Sequence, residues 1–235
     1  MKKISIIHPS YNRPQWAAET AKKWLSQVDK PEGLEYILSI DEKDPAKDWY
    51  LQAFYEIPEV EVIINPNQNM IQAANHGARL STGDILILVS DDFDCFPLWD
   101  RWIRNVTRDR EDWTLKVPDG YRVNYYLQTL PIMDRIYYNR FGYIYNPIYT
   151  HMWSDTEAST VGYMLGKMLV VLDGEDVPIF KHNHYTAGLS PKDHVYEKND
   201  SSMDSGRQIF FDRFARDFDL PFDEIVIKIP IEIFQ

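Results

Sequence analysis

Ile85-Leu86-Ile87-Leu88-Val89-Ser90-Asp91-Asp92-Phe93-Asp94 is the stretch on which the fold reading turns. Its first five residues are aliphatic with no polar alternation, the pattern of a strand buried on both faces. Three similar runs precede it, at residues 4–7, 36–40 and 60–64. Helical patterns separate them. Ala17, Ala21, Trp24, Leu25 and Val28 share one helical face, as do Met70, Ala73, Ala74, Gly77 and Ala78, whose small side chains suit close packing on a sheet. Gly83 reads as the stop of that second helix, and residues 44–55 as a shorter one. The alternation predicts an α/β chain on a mostly parallel open sheet.

Polar groups follow every one of these runs. They are His8-Pro9-Ser10-Tyr11-Asn12-Arg13, Asp41-Glu42, Asn65-Pro66-Asn67 and Ser90-Asp91-Asp92. In open α/β sheets ligands bind outside the carboxyl ends of the strands, so these four loops form the candidate site. Adjacent carboxylates repel one another unless a cation is near. Asp91, Asp92 and Asp94 together suit Mg²⁺ or Mn²⁺, which prefer hard oxygen ligands. A competing reading makes Asp94 the N-cap of a helix starting near Pro97.

Past Pro97 the pattern loosens. A helix is expected over 97–106, a strand over 115–117, a helix over 156–167, strands over 168–172 and 177–180, and a closing helix over 206–218. Pro230 makes the tail, 225–234, an edge strand or an extended arm.

Composition narrows the function classes. The 235 residues are 44% hydrophobic and 26% charged, enough for a sizeable core in a single domain, residues 1–235. Cys95 is the one cysteine, which suits a reducing compartment. The net charge of −11, with no Lys/Arg cluster, argues against a nucleic-acid partner. His8-Pro9 interrupts the apolar run after Lys2-Lys3, and the longest uncharged apolar stretch, 85–89, is too short to span a bilayer. A cytoplasmic protein, at most peripheral at a membrane, is expected. Neither Gly-x-Gly-x-x-Gly nor a Walker loop occurs, which disfavours a dinucleotide dehydrogenase and a P-loop NTPase.

The segment 4–13 resembles the opening of family 2 glycosyltransferases, which have the GT-A fold. Asn75-His76-Gly77-Ala78 with Ser81-Thr82-Gly83-Asp84-Ile85 is similar to the segment before that family's Asp-x-Asp motif, and Val89-Ser90-Asp91-Asp92 occupies the motif itself. The resemblance covers about the first hundred residues. It implies a GT-A sheet with a Rossmann-like nucleotide-binding half, 1–110, and a smaller mixed acceptor-side and catalytic half, 111–235. Counting back from Pro97 puts Ser90 at the family's first aspartate and Asp92 at the metal-binding one. Asp91, the middle residue, joins the cofactor-binding set, and Asp94 remains a candidate ligand. The resemblance further implies that Pro9, Ser10, Tyr11 and Arg13 line the nucleotide pocket, that Asp41 reads the base, and that Asn67, Asn69 and Asn75 lie near base, ribose or diphosphate. Arg79 reads as part of a solvated helix face.

In the second half, Trp153-Ser154-Asp155-Thr156-Glu157 places two carboxylates at a helix start. Capping accounts for them. So does general-base catalysis, in which a carboxylate takes the proton of an attacking acceptor hydroxyl. The family's acidic motif at such a helix start favours Asp155 over Glu157. Alternation sets His182 and His184 on one side of an extended segment, where one of them can complete a metal site or meet the diphosphate. His8, His76, His151 and His194 read as structural. The aromatic stretch 121–145 is the expected acceptor region, with core packing or a dimer surface as the competing account, so a homo-oligomer stays open. The acceptor is a glycan, a lipid-linked sugar or a small molecule, although no basic amphipathic helix supports a lipid surface.

The leading expectation is an inverting transfer from a nucleotide-diphospho-sugar, using Mn²⁺ or Mg²⁺. A metal-dependent nucleotidyltransferase is disfavoured because the first loop is not glycine-rich. A non-catalytic nucleotide-sugar or glycan binder is kept open by Ser90.

Overall fold

β1 (Ile4–Pro9), β2 (Leu34–Asp41), β3 (Val60–Asn65) and β4 (Ile85–Leu88) pair in parallel, joined by α1 (Pro14–Ser26), α2 (Lys47–Tyr55) and α3 (Met70–Leu80). The computed structural model describes residues 1–120, 126–172, 174–185, 188–189 and 193–234. After α4 (Trp99–Val106) come β5 (Thr114–Lys116), β6 (Ile132–Asp134), α5 (Arg135–Phe141), α6 (Ser154–Met164), β7 (Met168–Val170), α7 (His194–Asp200) and α8 (Met203–Phe214). Among the described residues the sheet has seven strands in the order β3-β2-β1-β4-β6-β5-β7, with β6 antiparallel to both β4 and β5.

The runs in β1, β2 and β4 form buried strands because both faces of the sheet are covered there, whereas β3, at the sheet edge, mixes buried and exposed residues. Ile4, Ile6, Ile85 and Ile87 pack with Trp24, Tyr50, Trp99 and Phe180 on one face. Ile7, Leu86 and Leu88 pack with Ile71, Tyr137, Met164 and Phe210 on the other. α1 opens on Pro14, whose fixed φ and missing N–H suit a first helical position. α3 is capped by Asn69, whose side chain accepts from Gln72 N–H at 2.9 Å. The small face of α3 does sit close to the sheet: a Cβ at Gly77 would lie 2.9 Å from Ile7 Cγ2.

Several expectations are corrected. Gly83 does not stop α3, which ends at Leu80 with Ser81 as its C-cap. Gly83 is instead a point of close approach, where a Cβ would stand 2.7 Å from the backbone N of Ser5. Residues 177–180 and the tail form no strand, and the tail closes in a short 3₁₀ turn, Ile231–Phe234. The aromatic stretch contains β6 and α5, and Tyr137, Tyr138 and Tyr145 are core. Tyr126 is exposed and meets Tyr163 edge-on, while Tyr121 and Tyr125 lie outside the described residues. Asp94 caps nothing, because α4 begins after Leu98.

Candidate active site

The strand order reverses direction between β1 and β4, so the chain leaves their carboxyl ends toward opposite sides and opens a crevice. The loops 9–13 and 90–95 flank it. The second loop is pinned from several elements. Thr20 Oγ1 donates to Asp91 O (2.8 Å), Trp24 Nε1 to Phe93 O (2.9 Å), Asn183 N to Asp92 O (2.8 Å), and Asp94 N to Lys181 O (2.8 Å).

Asp91 and Asp92 have separate sets of partners. Asp91 Oδ1 lies 2.9 Å from Nε2 of the fully buried His8, and Oδ2 accepts from Ser10 Oγ at 3.1 Å. The other ring nitrogen of His8, Nδ1, lies 2.8 Å from Tyr36 OH, so the imidazole bridges the phenol and the carboxylate. Asp92 is 9% exposed. Its Oδ1 accepts from Ser90 Oγ (2.5 Å) and its Oδ2 from Tyr196 OH (2.9 Å), with His182 Nε2 at 3.4 Å from Oδ2. Burial alone would raise the Asp92 carboxyl. His182, by hydrogen bonding and charge, together with Ser90 and Tyr196, overcomes that and holds it well below the usual carboxylate range. Asp94 stands apart, paired with Lys23 at 2.6 Å.

His182 stacks on Phe93 with ring centroids 4.1 Å apart, and an isolated antiparallel bridge joins the two residues. His184 meets His182 edge-on at 5.1 Å, and also contacts Tyr185 and Tyr196. His151, read from sequence as structural, is close enough to Asp92, Asp200 and His184 to feel their charges, and burial lowers its pKa to about 4. Among the described residues no three His, Cys, Asp or Glu side chains are arranged to hold a metal ion. The donor set here is one ionised carboxylate with an imidazole beside it. That fits a cation which takes its remaining oxygens from a bound diphosphate, the usual mode for Mg²⁺.

In the first loop, Ser10 Oγ bonds Tyr50 OH (2.7 Å), and Asp44 accepts from Asn12 N (2.8 Å) and Ala46 N (2.7 Å), tying the loop to the end of β2. Pro9 ends β1 and Tyr11 is half-buried. Arg13 Nε and Nη2 grip Asp193 at 2.8 and 2.5 Å, with the guanidinium 4.4 Å over the Tyr196 ring and 5.0 Å over Trp16. Asp41, at the end of β2, accepts from Lys43 N (2.8 Å). The three asparagines have scaffold partners. Asn67 donates to Ile40 O (3.3 Å), Asn69 caps α3, and Asn75 donates to Tyr145 O (2.7 Å) and accepts from Ile144 N (2.9 Å).

α6 starts from Trp153, whose φ of 72° is left-handed, and Ser154 Oγ donates to His151 O, so neither Ser154 nor Asp155 caps the helix. Asp155 is half-buried in the first turn and accepts from Thr156 N at 2.8 Å. Glu157 corrects the expectation of a second catalytic carboxylate. It is 4% exposed, paired through both oxygens with Arg213 (2.8 and 3.0 Å), and also accepts from Tyr149 OH (2.8 Å) and Asn146 Nδ2 (3.0 Å). A carboxylate so fully engaged has no acceptor capacity left for a substrate proton. Tyr196, Asp193 and Asp44 were missed from sequence. The Asp44-Pro45 turn gave a weak signal for the last, and nothing local signals the other two.

Residues 5–164, two-thirds of the chain, match the family described as Glycosyl transferase family 2. Over 100 residues the chain is 27% identical to a glucosyl-dolichyl phosphate glucuronosyltransferase of Haloferax volcanii, covering 41% of this chain and 31% of that one. The fold is similar to the mannosyltransferase PcManGT from Pyrobaculum calidifontis in complex with GDP-Man and Mn²⁺ (TM-score 0.59, 14% identity, 76% of this chain and 56% of that one). It is also similar to residues 1–349 of S. aureus TarS in complex with UDP-GlcNAc (TM-score 0.63, 12% identity, 77% of this chain and 59% of that one). This chain thus spans about a third of the curated relative and less than two-thirds of each of these structures. By its family match and its mostly parallel sheet, the chain belongs to glycosyl transferase family 2 and has the GT-A fold.

Proposed function

We propose that the protein transfers a sugar from a nucleotide-diphospho-sugar to an acceptor hydroxyl, with inversion at the anomeric carbon and with a divalent cation at Asp92. The carrying observation is the state of Asp92, a nearly buried carboxylate kept ionised at the β1/β4 crevice with the His182 imidazole 3.4 Å away. Asp92 with His182 or His184 would hold Mn²⁺ or Mg²⁺, and the cation would neutralise charge on the departing diphosphate. Family membership supports the reading, as do the GDP-Man, Mn²⁺ and UDP-GlcNAc bound by the structural neighbours.

The remaining roles follow from position. Pro9, Ser10 and Tyr11 line the nucleotide side of the crevice, and Asp41 faces the base as an acceptor. Asp91, fixed by His8 and Ser10, shapes the floor. Asp155 takes the proton of the acceptor hydroxyl while that oxygen bonds to the anomeric carbon. The anomeric bond to phosphate oxygen breaks, and nucleoside diphosphate leaves. Residues 1–110 form the donor half and 111–235 the acceptor half. The acceptor is a glycan, a lipid-linked sugar or a small molecule.

The test is a thermal-shift screen of UDP- and GDP-sugars with and without Mn²⁺. A donor at ~100 times its dissociation constant adds about 2.7 kcal/mol of stability. The shift should require Mn²⁺ and should vanish in Asp92→Asn. If no nucleotide-sugar stabilises the protein in the presence of metal, the proposal fails.

A further inference from the structure

Tyr196 lies 104 residues from Asp92 in sequence, yet its hydroxyl is 2.9 Å from Asp92 Oδ2. It sits on α7, and its ring is held on both sides. The Arg13 guanidinium is 4.4 Å over one side, and the His184 and Tyr185 rings pack at 5.1 and 4.5 Å. Asp193 sets the start of α7 by accepting from Val195 N (3.0 Å) and Tyr196 N (3.2 Å), while its carboxylate also grips Arg13. The phenol is therefore fixed by a chain of contacts running from the nucleotide loop through Arg13 and Asp193.

A carboxylate offers about four lone-pair sites. Ser90 takes one on Oδ1, while Tyr196 and, at the longer distance of 3.4 Å, His182 take those on Oδ2. One site is left on Oδ1. Two donors on opposite oxygens fix both the torsion and the plane of the carboxylate, which neither could do alone. We propose that Tyr196 is a positioning residue of the cation site: its hydroxyl holds Asp92 in the orientation that presents a ligand oxygen, and its ring ties that orientation to Arg13. The inference rests on the proposed cation at Asp92. It extends the site to a C-terminal helix beyond residue 164, where the family match ends.

The experiment measures UDP and GDP binding by calorimetry across a Mn²⁺ titration, with Mn²⁺ paramagnetic resonance as a second readout. Hydrogen-bond partners of metal ligands typically contribute 10–100-fold to metal affinity. Tyr196→Phe keeps the ring and loses the hydroxyl, so its Mn²⁺ half-saturation should rise at least tenfold while metal-free Tm stays near wild type. Asp193→Asn keeps the start of α7 but loosens Arg13, and should shift the same parameter less and in the same direction. A Tyr196→Phe half-saturation within twofold of wild type overturns the proposal, as does tighter Mn²⁺ binding, which would mean that the hydroxyl competes with the cation. Should Tyr196→Phe fail to fold, an unchanged half-saturation in Asp193→Asn overturns it equally. Absence of Mn²⁺-dependent binding in the wild type would instead remove the underlying cation reading, and this inference with it.

Discussion

Asp91 and Asp92 carry like charge on adjacent residues, and the fold resolves the conflict by giving each its own donors. Asp91 turns to His8 and Ser10, and Asp92 to Ser90, Tyr196 and His182. The pair Asp155 and Glu157 is divided by the same logic. Glu157 pairs with the half-buried Arg213, whereas Asp155 stays in the first turn of α6 as the proposed base. Opposite phenotypes are expected. Glu157→Gln leaves Arg213 with only the exposed Asp219 as counter-charge and should lower unfolding free energy by roughly 3 kcal/mol in urea melts, with nucleotide binding near wild type at low denaturant. Asp155→Asn should keep Tm and nucleotide binding but slow transfer by about 10²–10⁴-fold, read as nucleoside diphosphate release. A stable but inactive Glu157→Gln would reverse the assignment.

At the scale of elements, α8 is joined both to α6 and to the loop that precedes α6. Arg213 of α8 pairs with Glu157 of α6, and Met152 N donates to Ser202 Oγ at the start of α8 (3.1 Å). Gly206 lets α8 approach that loop, since a Cβ there would lie 2.3 Å from Met152 O. Alanine would gain about 1 kcal/mol of helix propensity, but a contact that short with backbone cannot persist, so helix and loop must separate. Gly206→Ala is therefore expected to destabilise by about 1–3 kcal/mol and to lower the transfer rate by displacing Asp155. Differential scanning calorimetry reads the first effect. A raised Tm would show that the close approach imposes no constraint.

For the molecule as a whole, acid sensitivity follows from His151. Burial, and secondarily the nearby His184, favour its neutral form, while Asp200 and Asp92 favour the charged one, and the net pKa falls from 6.5 to about 4. Between those values the unfolded chain holds a proton that the folded chain lacks, so lowering the pH favours unfolding. Stability should be level with respect to this group above pH 6.5 and should decline as pH falls toward 4. His151→Gln should flatten that limb, a difference of roughly 1–3 kcal/mol across it, measured by urea melts at stepped pH. An unchanged acid limb in His151→Gln would assign the sensitivity to other groups. Among the described residues no helix is long and apolar enough to cross a membrane.

Sequence by itself determined the four parallel strands and the polar loops at their ends. Strands covered on both faces must be continuously aliphatic, and the loops that follow them must be polar, so both features are written locally. The resemblance to family 2 glycosyltransferases, counted back from Pro97, made Asp92 the candidate metal ligand, a role that is here proposed. The three-residue strands β5 and β6 were harder to read, because so short a segment carries too little periodicity to distinguish strand from loop; a strand was expected at 115–117 but none at 132–134. Only the tertiary structure decided which partner each carboxylate meets. Arg13 meets Asp193 across 180 residues, Asp92 meets Tyr196 across 104, and Glu157 meets Arg213 across 56. A hydrogen bond between groups so far apart in the chain leaves no spacing or pattern to read. It exists because packing brings α7 and α8 against the strand ends, and the need to pair every buried charge then selects the partner.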